Sequence, residues 1–228
     1  VLDFYQIKFK DDKHQSYWYN NKWQNTKPRY EKITVKGAAD IVDTVLYTHH
    51  GPVVYFQKPS YGRAANVPTG HALRWIAHDK SNELKAFYLL NRGKNYNDYR
   101  KALPYFTAPA QNFIFASADN DIAITPNGKF PLKWKNQGKF ILDGTDPSND
   151  WQGWIPAAQN PTARNRARNF VCSANQSSTD PSYPYYINWE FSPYERGKRI
   201  NDRLKSMGKI TADSRRRLQT DSHSIMAE

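Results

Sequence analysis

Asn112-Phe113-Ile114-Phe115-Ala116-Ser117-Ala118-Asp119-Asn120-Asp121-Ile122-Ala123-Ile124 sets two apolar runs on either side of a short polar turn. Aromatic and β-branched side chains suit a pleated, half-buried surface, and an Asp-Asn pair tolerates tight backbone, so the stretch predicts a β-hairpin. Strand-like sequence continues on its N-terminal side. Residues 2–9 alternate, with Leu2, Phe4, Ile7 and Phe9 as the apolar set and a break in phase at Tyr5-Gln6. Residues 17–23 read as a second hairpin, because Asn20-Asn21 supplies the positive-φ pair that a two-residue turn needs. Residues 33–37 and 41–48 are β-branched and predict strands, Gly51-Pro52 is expected to break the chain before a strand at 53–56, and 71–77 is a further strand candidate.

Just before the central hairpin the apolar period changes. Leu84, Phe87, Tyr88 and Asn91 fall at i, i+3, i+4 and i+7 behind Ser81 or Asn82 as N-cap, which predicts a helix. A second short helix is expected over 97–103, stopped by Pro104. Beyond the hairpin, residues 126–168 are loop-rich, punctuated by Asn127-Gly128, Asp143-Gly144 and several prolines. Residues 170–174 read as a strand ending at Asn175. From Tyr194 the tail is helical, with Ile200, Leu204 and Met207 on one face and Gly208 where a C′ glycine belongs. Thr211 then caps a last helix showing Leu218 and Ile225. The sum is one α+β domain over 1–228, strand-rich in its middle and helical at its end.

Composition bounds the function. Aromatic residues reach 14%, which excludes disorder from simple want of apolar bulk. No uncharged apolar run approaches the ~18 residues of a membrane-spanning helix. Cys172 is the single cysteine, so an intramolecular disulfide and Cys-rich zinc sites are both excluded. The net charge is +12 over 228 residues, and seven of those charges lie between Arg196 and Arg217. That segment holds no aromatic residue to interleave with bases, so a solvated helix pair or a face for an acidic partner is expected, not nucleic-acid binding. The chain opens directly on strand-like sequence and closes within helix-like sequence, which predicts a segment of a longer protein.

Generic motifs are sparse. His14, His49, His50, His71, His78 and His223 show no metal-ligand spacing, and His49 and His50, adjacent on a strand, are expected to face opposite ways. Tyr17, Trp18, Tyr19 and Trp23 offer an alternative class, an aromatic-rich binding module that stacks on carbohydrate. That alternative requires coplanar, exposed rings.

An ordered set of local signatures is more specific. Thr48-His49-His50-Gly51-Pro52-Val53-Val54 is followed by Ala72-Leu73-Arg74-Trp75, 111–116, Gly128-Lys129-Phe130-Pro131, 151–156, Ala174-Asn175 and Arg196-Gly197-Lys198-Arg199-Ile200. In order and spacing, over nearly the whole chain, this resembles the β-chain of the penicillin acylase family of N-terminal-nucleophile hydrolases. The resemblance implies part of an αββα sandwich and a hydrolase of linear amides, acting on the acyl side chain of a β-lactam or an N-acyl homoserine lactone. It implies a serine nucleophile freed by autoproteolysis of a zymogen, activated by its own α-amino group. Val1 has no hydroxyl. The serine, the α-chain and the remainder of the β-chain are therefore expected outside this sequence, and the chain alone is expected to be inactive.

The resemblance also assigns positions. Asn175 matches the asparagine whose side-chain amide completes the oxyanion hole, and Arg196 an arginine near that asparagine. Trp75 and Gln111 match walls of the acyl pocket; Gln111 replaces an apolar residue of penicillin G-type enzymes, so a phenylacetyl specificity does not carry over. Asp3 and the Leu2 carbonyl match calcium ligands. Calcium takes six to eight oxygens, and with Asn188 where another acidic ligand is expected, this chain alone is not expected to bind it. Asn120 and Asn169 stand where glycine is usual and are expected to keep positive φ. Family members are exported, which implies a periplasmic or secreted parent.

Overall fold

The computed structural model describes residues 1–54 and 70–227, so Tyr55-Phe56 of the expected strand lie outside the described residues. The chain divides into two compact units, residues 1–80 with 130–154, and residues 81–129 with 155–228. Mixed sheets and four helices give the expected α+β composition.

The first unit holds β1 (Leu2–Gln6), β2 (Ser16–Tyr19), β3 (Lys22–Asn25), β4 (Lys27–Ile33), β5 (Ile41–Thr48), β6 (Gly51–Val54), β7 (His71–Trp75) and β10 (Leu142–Asp143). Six of these form one sheet in the order β10-β1-β7-β6-β5-β4, while β2 and β3 pair separately as the expected hairpin. Asn20 and Asn21 turn that hairpin at φ 48° and 59°. The buried phase of β1 is Asp3 and Tyr5, continued by Ile7, whereas Leu2 is half exposed. Tyr5, Ile7, Tyr17, Ala72 and Leu142 make the core, and the Tyr5 hydroxyl donates to the Asn149 carbonyl at 2.9 Å. Burying a phenol body while its oxygen stays bonded gains apolar area without an orphaned polar atom.

In this unit the strand expectations need correction at three places. β4 lies at 27–33, and residues 34–40 form the connection, with Gly37 at φ +78°. β4 is an edge strand whose residues are largely exposed, so it carries no core alternation to read. Gly51-Pro52 starts β6 and does not interrupt it. Only Gly51 fits there, because a Cβ at this φ of +136° would stand 2.2 Å from the Leu73 carbonyl oxygen. Thr48 pairs with Gly51 across β5 and β6, which makes His49-His50 a two-residue turn.

The second unit holds α1 (Glu83–Arg92), α2 (Tyr96–Ala102), β8 (Gln111–Ala116), β9 (Ile122–Asn127), β11 (Ala163–Arg164), α3 (Tyr194–Ser206) and α4 (Ala212–Gln219). Asn82 and Asn95 cap α1 and α2 by accepting from Lys85 N and Asp98 N. Ala86 is the buried residue of α1; Leu84 and Tyr88 of the expected apolar face are exposed, and Phe87 packs edge-on against Phe106. β8 and β9 form the central hairpin with Asn120 at φ 58°. The Ser117 hydroxyl accepts from Asp119 N inside that turn, a short polar closure. Residues 170–174 are irregular and not a strand. α3 ends on an extended Met207 without a left-handed glycine cap, and α4 opens on a capping box between Thr211 and Ser214. Ile225 falls in a separate 3-10 turn.

Candidate active site

Asn175 and Arg196 are brought together. Ala174 is buried and anchors the segment, and its N–H donates to Gln176 Oε1 at 2.6 Å. Asn175 then takes φ +61°, a conformation that asparagine tolerates better than most residues. Its carbonyl accepts from Ser192 N at 2.9 Å, which ties this corner to the approach to α3. Arg196 lies in the first turn of α3. Its Nη2 donates to the Ala174 carbonyl at 3.0 Å and to Asn175 Oδ1 at 2.8 Å. A guanidinium only donates, so the contact fixes which end of the carboxamide faces it. Asn175 Nδ2 points elsewhere, exposed and with no hydrogen-bond partner among the described residues.

The guanidinium does more than orient. A charged donor on Oδ1 draws electron density from the amide and polarises the remaining N–H groups, which strengthens them as donors. A cleft of about 440 Å³ in the same unit is walled by Asn112, Ile124, Cys172, Ser173, Gln176 and Tyr183. Ser173 and Gln176 bracket the Ala174-Asn175 corner, and Asn112 Nδ2 donates to Ser173 Oγ at 2.6 Å. Burial pushes the Tyr183 hydroxyl up to about 12, with Tyr185 adding to it.

Gln111 opens β8 opposite Asn127 and is exposed. Trp75 belongs to the first unit, at the end of β7 opposite Leu2, with its ring edge-on to His78 at 5.5 Å.

Asp3 is nearly fully buried, and its oxygens are already engaged. Lys133 Nζ stands 2.7 Å from both of them, and Trp151 Nε1 donates to Oδ2 at 2.5 Å. The ammonium supplies the positive charge that a calcium ion would bring and covers the same oxygens. Gly138 closes the remaining space, since a Cβ there would lie 2.0 Å from Asp3 Oδ1. The residues around Asp3 therefore do not fit calcium, which needs several free oxygen ligands.

The aromatic hairpin does not form a stacking platform. Trp18 and Trp23 meet at 70°, and Tyr17 is buried. In the basic tail, Arg199 and Arg203 pair with Asp221, Lys198 with Asp202, and Arg216 with Asp213.

Sequence reasoning missed one cluster in the first unit. His49 and His50 share a turn, so their rings lie on the same side with centroids 3.8 Å apart, beside Asp150. The strand alternation that separates them in the sequence reading does not apply in a turn. The Thr48-Pro52 signature was a signal for the turn; nothing local connects it to Asp150.

Comparison with known proteins bears on the whole chain. The acyl-homoserine lactone acylase QuiP of Pseudomonas syringae pv. tomato is 28% identical over 218 residues, covering 93% of this chain and 25% of that protein. Penicillin acylase 2 proenzyme of a Pseudomonas species is 21% identical over 232 residues, covering 97% of this chain and 28% of the relative. The chain thus spans about a quarter of the length of the curated relatives it matches. Among solved structures, a thermostable penicillin G acylase from Alcaligenes faecalis shares the fold with TM-score 0.77 at 18% identity, covering 96% of this chain and 38% of that one. A family profile described as penicillin amidase matches residues 1–228 from end to end, in agreement with the ordered signatures in the sequence: the chain belongs to the penicillin amidase family.

Proposed function

We propose that this chain is part of an amidohydrolase that cleaves a linear amide through an acyl-enzyme, with Asn175 as an oxyanion donor positioned by Arg196. The observation that carries the reading is the Arg196–Asn175 contact, which takes up Oδ1 and leaves both Nδ2 hydrogens for an incoming oxygen. The relatives named as acylases of acyl-homoserine lactones or penicillin support an N-acylated small molecule as substrate.

In this mechanism a serine hydroxyl, contributed by another part of the larger protein, adds to the substrate carbonyl carbon. The Oγ–C bond forms as the serine's own α-amino group takes the hydroxyl proton, which it later passes to the leaving amine, and the carbonyl π-electrons move to oxygen. Asn175 Nδ2 donates to that oxygen as its charge grows. The intermediate then expels the amine, which takes a proton, and water later releases the acid. Because Asn175 is already aimed, little reorganisation opposes the developing charge. Gln111, in the same unit as Asn175, serves as a wall of the acyl pocket. The serine is freed by autoproteolysis of an exported precursor, and this stretch alone does not turn over substrate.

The test is hydrolysis of a chromogenic acyl amide by the larger protein carrying Asn175→Gly. Glycine keeps the positive φ without strain and removes the donor. Loss of one such donor lowers kcat by about 10²–10³, roughly 2.7–4 kcal/mol of barrier, with KM nearly unchanged. An unchanged kcat would remove Asn175 from the chemistry.

A further inference from the structure

We propose that His49, His50 and Asp150 bind one divalent transition-metal ion of the zinc class. One ligand atom from each residue lies within 4.8 Å of the others. His50 Nδ1 is 3.5 Å from Asp150 Oδ1, and His49 Nε2 is 3.7 Å from Asp150 Oδ2. Bonds of about 2.0–2.1 Å in a tetrahedral site place ligands about 3.4 Å apart, so a small inward movement closes the set.

The hydrogen bonds decide which atoms carry lone pairs. His50 is buried, its ring stacked on Tyr5 at 3.9 Å, and its Nε2 lies 3.3 Å from the Gly144 carbonyl oxygen. A carbonyl only accepts, so Nε2 carries the hydrogen. With Nε2 bearing the hydrogen, Nδ1 of the neutral imidazole presents a lone pair to Asp150 Oδ1. That oxygen is itself buried and has no hydrogen-bond donor among the described residues. Two lone-pair atoms facing each other in a buried place repel, and a cation between them turns the repulsion into coordination.

His49 is arranged the same way. Tyr17 gives its proton to Gln24 Oε1 and accepts from His49 N, so His49 Nδ1, 3.1 Å from that hydroxyl, is the donor. Nε2 is then the lone pair turned toward Asp150. Tyr19 donates to Asp150 Oδ2 at 2.6 Å. Each imidazole is thus oriented by a partner at its other ring nitrogen, Gly144 for His50 and Tyr17 for His49, and Tyr19 holds the Asp150 carboxylate. Metal-binding imidazoles and carboxylates are held in this way.

Two imidazoles and one carboxylate suit zinc, nickel, cobalt or copper better than calcium or magnesium, which prefer all-oxygen shells. Three protein ligands leave a fourth position, and the partly exposed edge of His49 opens it to water. The ion would tie the β5–β6 turn to the segment ending at Asp150.

The test uses protein containing this chain, stripped with a chelator and titrated with Zn²⁺ by calorimetry, then with Co²⁺ followed by its visible absorption. One equivalent is expected, not displaced by Ca²⁺ or Mg²⁺. His49→Ala, at a partly exposed position, and Asp150→Asn each abolish the saturable event, while His223→Ala retains it. Tyr19→Phe keeps the ring packing and weakens binding about 10- to 100-fold. Absence of saturable binding overturns the proposal and leaves a proton shared between His50 and Asp150. Binding that survives His49→Ala or Asp150→Asn overturns it equally.

Discussion

Replacing Lys133 by methionine isolates a buried carboxylate. The side chains of Lys133 and Asp3 are 4% and 1% exposed, so neither solvent nor salt screens the pair. Methionine fills much the same volume, and the change removes charge more than packing. Breaking one side of a buried ion pair costs about 3–5 kcal/mol. Here Trp151 Nε1 still donates to Asp3 Oδ2, which places the expected loss at the lower end, about 3 kcal/mol. Removing both charges, Asp3→Asn with Lys133→Met, should restore stability to within about 1 kcal/mol of the parent, because an uncharged pair carries no desolvation penalty. Urea unfolding of the parent, both single variants and the double variant closes a double-mutant cycle. A loss below about 1 kcal/mol for Lys133→Met, or a double variant no better than the single, would show that the ammonium is not what neutralises Asp3.

Two further outcomes are expected. Glu83 accepts from the Thr107 hydroxyl at 2.6 Å and the Ser81 hydroxyl at 2.8 Å, and these bonds, Thr107 first, lower its pKa from 4.5 to about 2. A depressed folded pKa stabilises above the unfolded value and is lost as pH falls through the folded one. Unfolding free energy should therefore decline between pH 4.5 and about 2, and Glu83→Gln should flatten that part of the profile; an unaltered profile contradicts the assignment. Arg196→Ala removes the charged bond to Asn175 Oδ1, worth about 1.5–3 kcal/mol, so kcat should fall roughly 10- to 100-fold at constant KM, with Arg196→Lys in between. A rise in KM at constant kcat would make Arg196 a binding residue instead.

Much of the fold was legible because local chemistry and tertiary placement agree. Asn20-Asn21, Asn120 and Asn169 all take positive φ, and Asn82 and Thr211 cap the helices that follow them. Legibility failed where long-range partners decide. β4 is polar because it borders the sheet, and nothing in residues 27–33 announces the pairing with β5. The i, i+3, i+4 pattern of Leu84, Phe87 and Tyr88 predicts a core face, yet Ala86 faces inward, since periodicity gives a stripe and not what covers it. Asn175 and Arg196 were legible as residues, through the ordered signatures, but their contact depends on a corner that sequence reads as a strand. His49, His50 and Asp150 lie a hundred positions apart, and Lys133 meets Asp3 across 130 residues. Convergences of that kind leave no local trace.

The most direct measurement is the affinity of a tetrahedral phosphonamidate, an uncleavable mimic of the acyl-transfer intermediate, for the larger protein and for its Asn175→Gly variant. If Nδ2 meets the oxyanion, the mimic should lose the same factor, about 10²–10³, that kcat/KM loses, while a ground-state amide inhibitor binds both proteins alike. Equal loss for mimic and ground-state amide, or none for either, would contradict a carboxamide at position 175 aimed at the transition state.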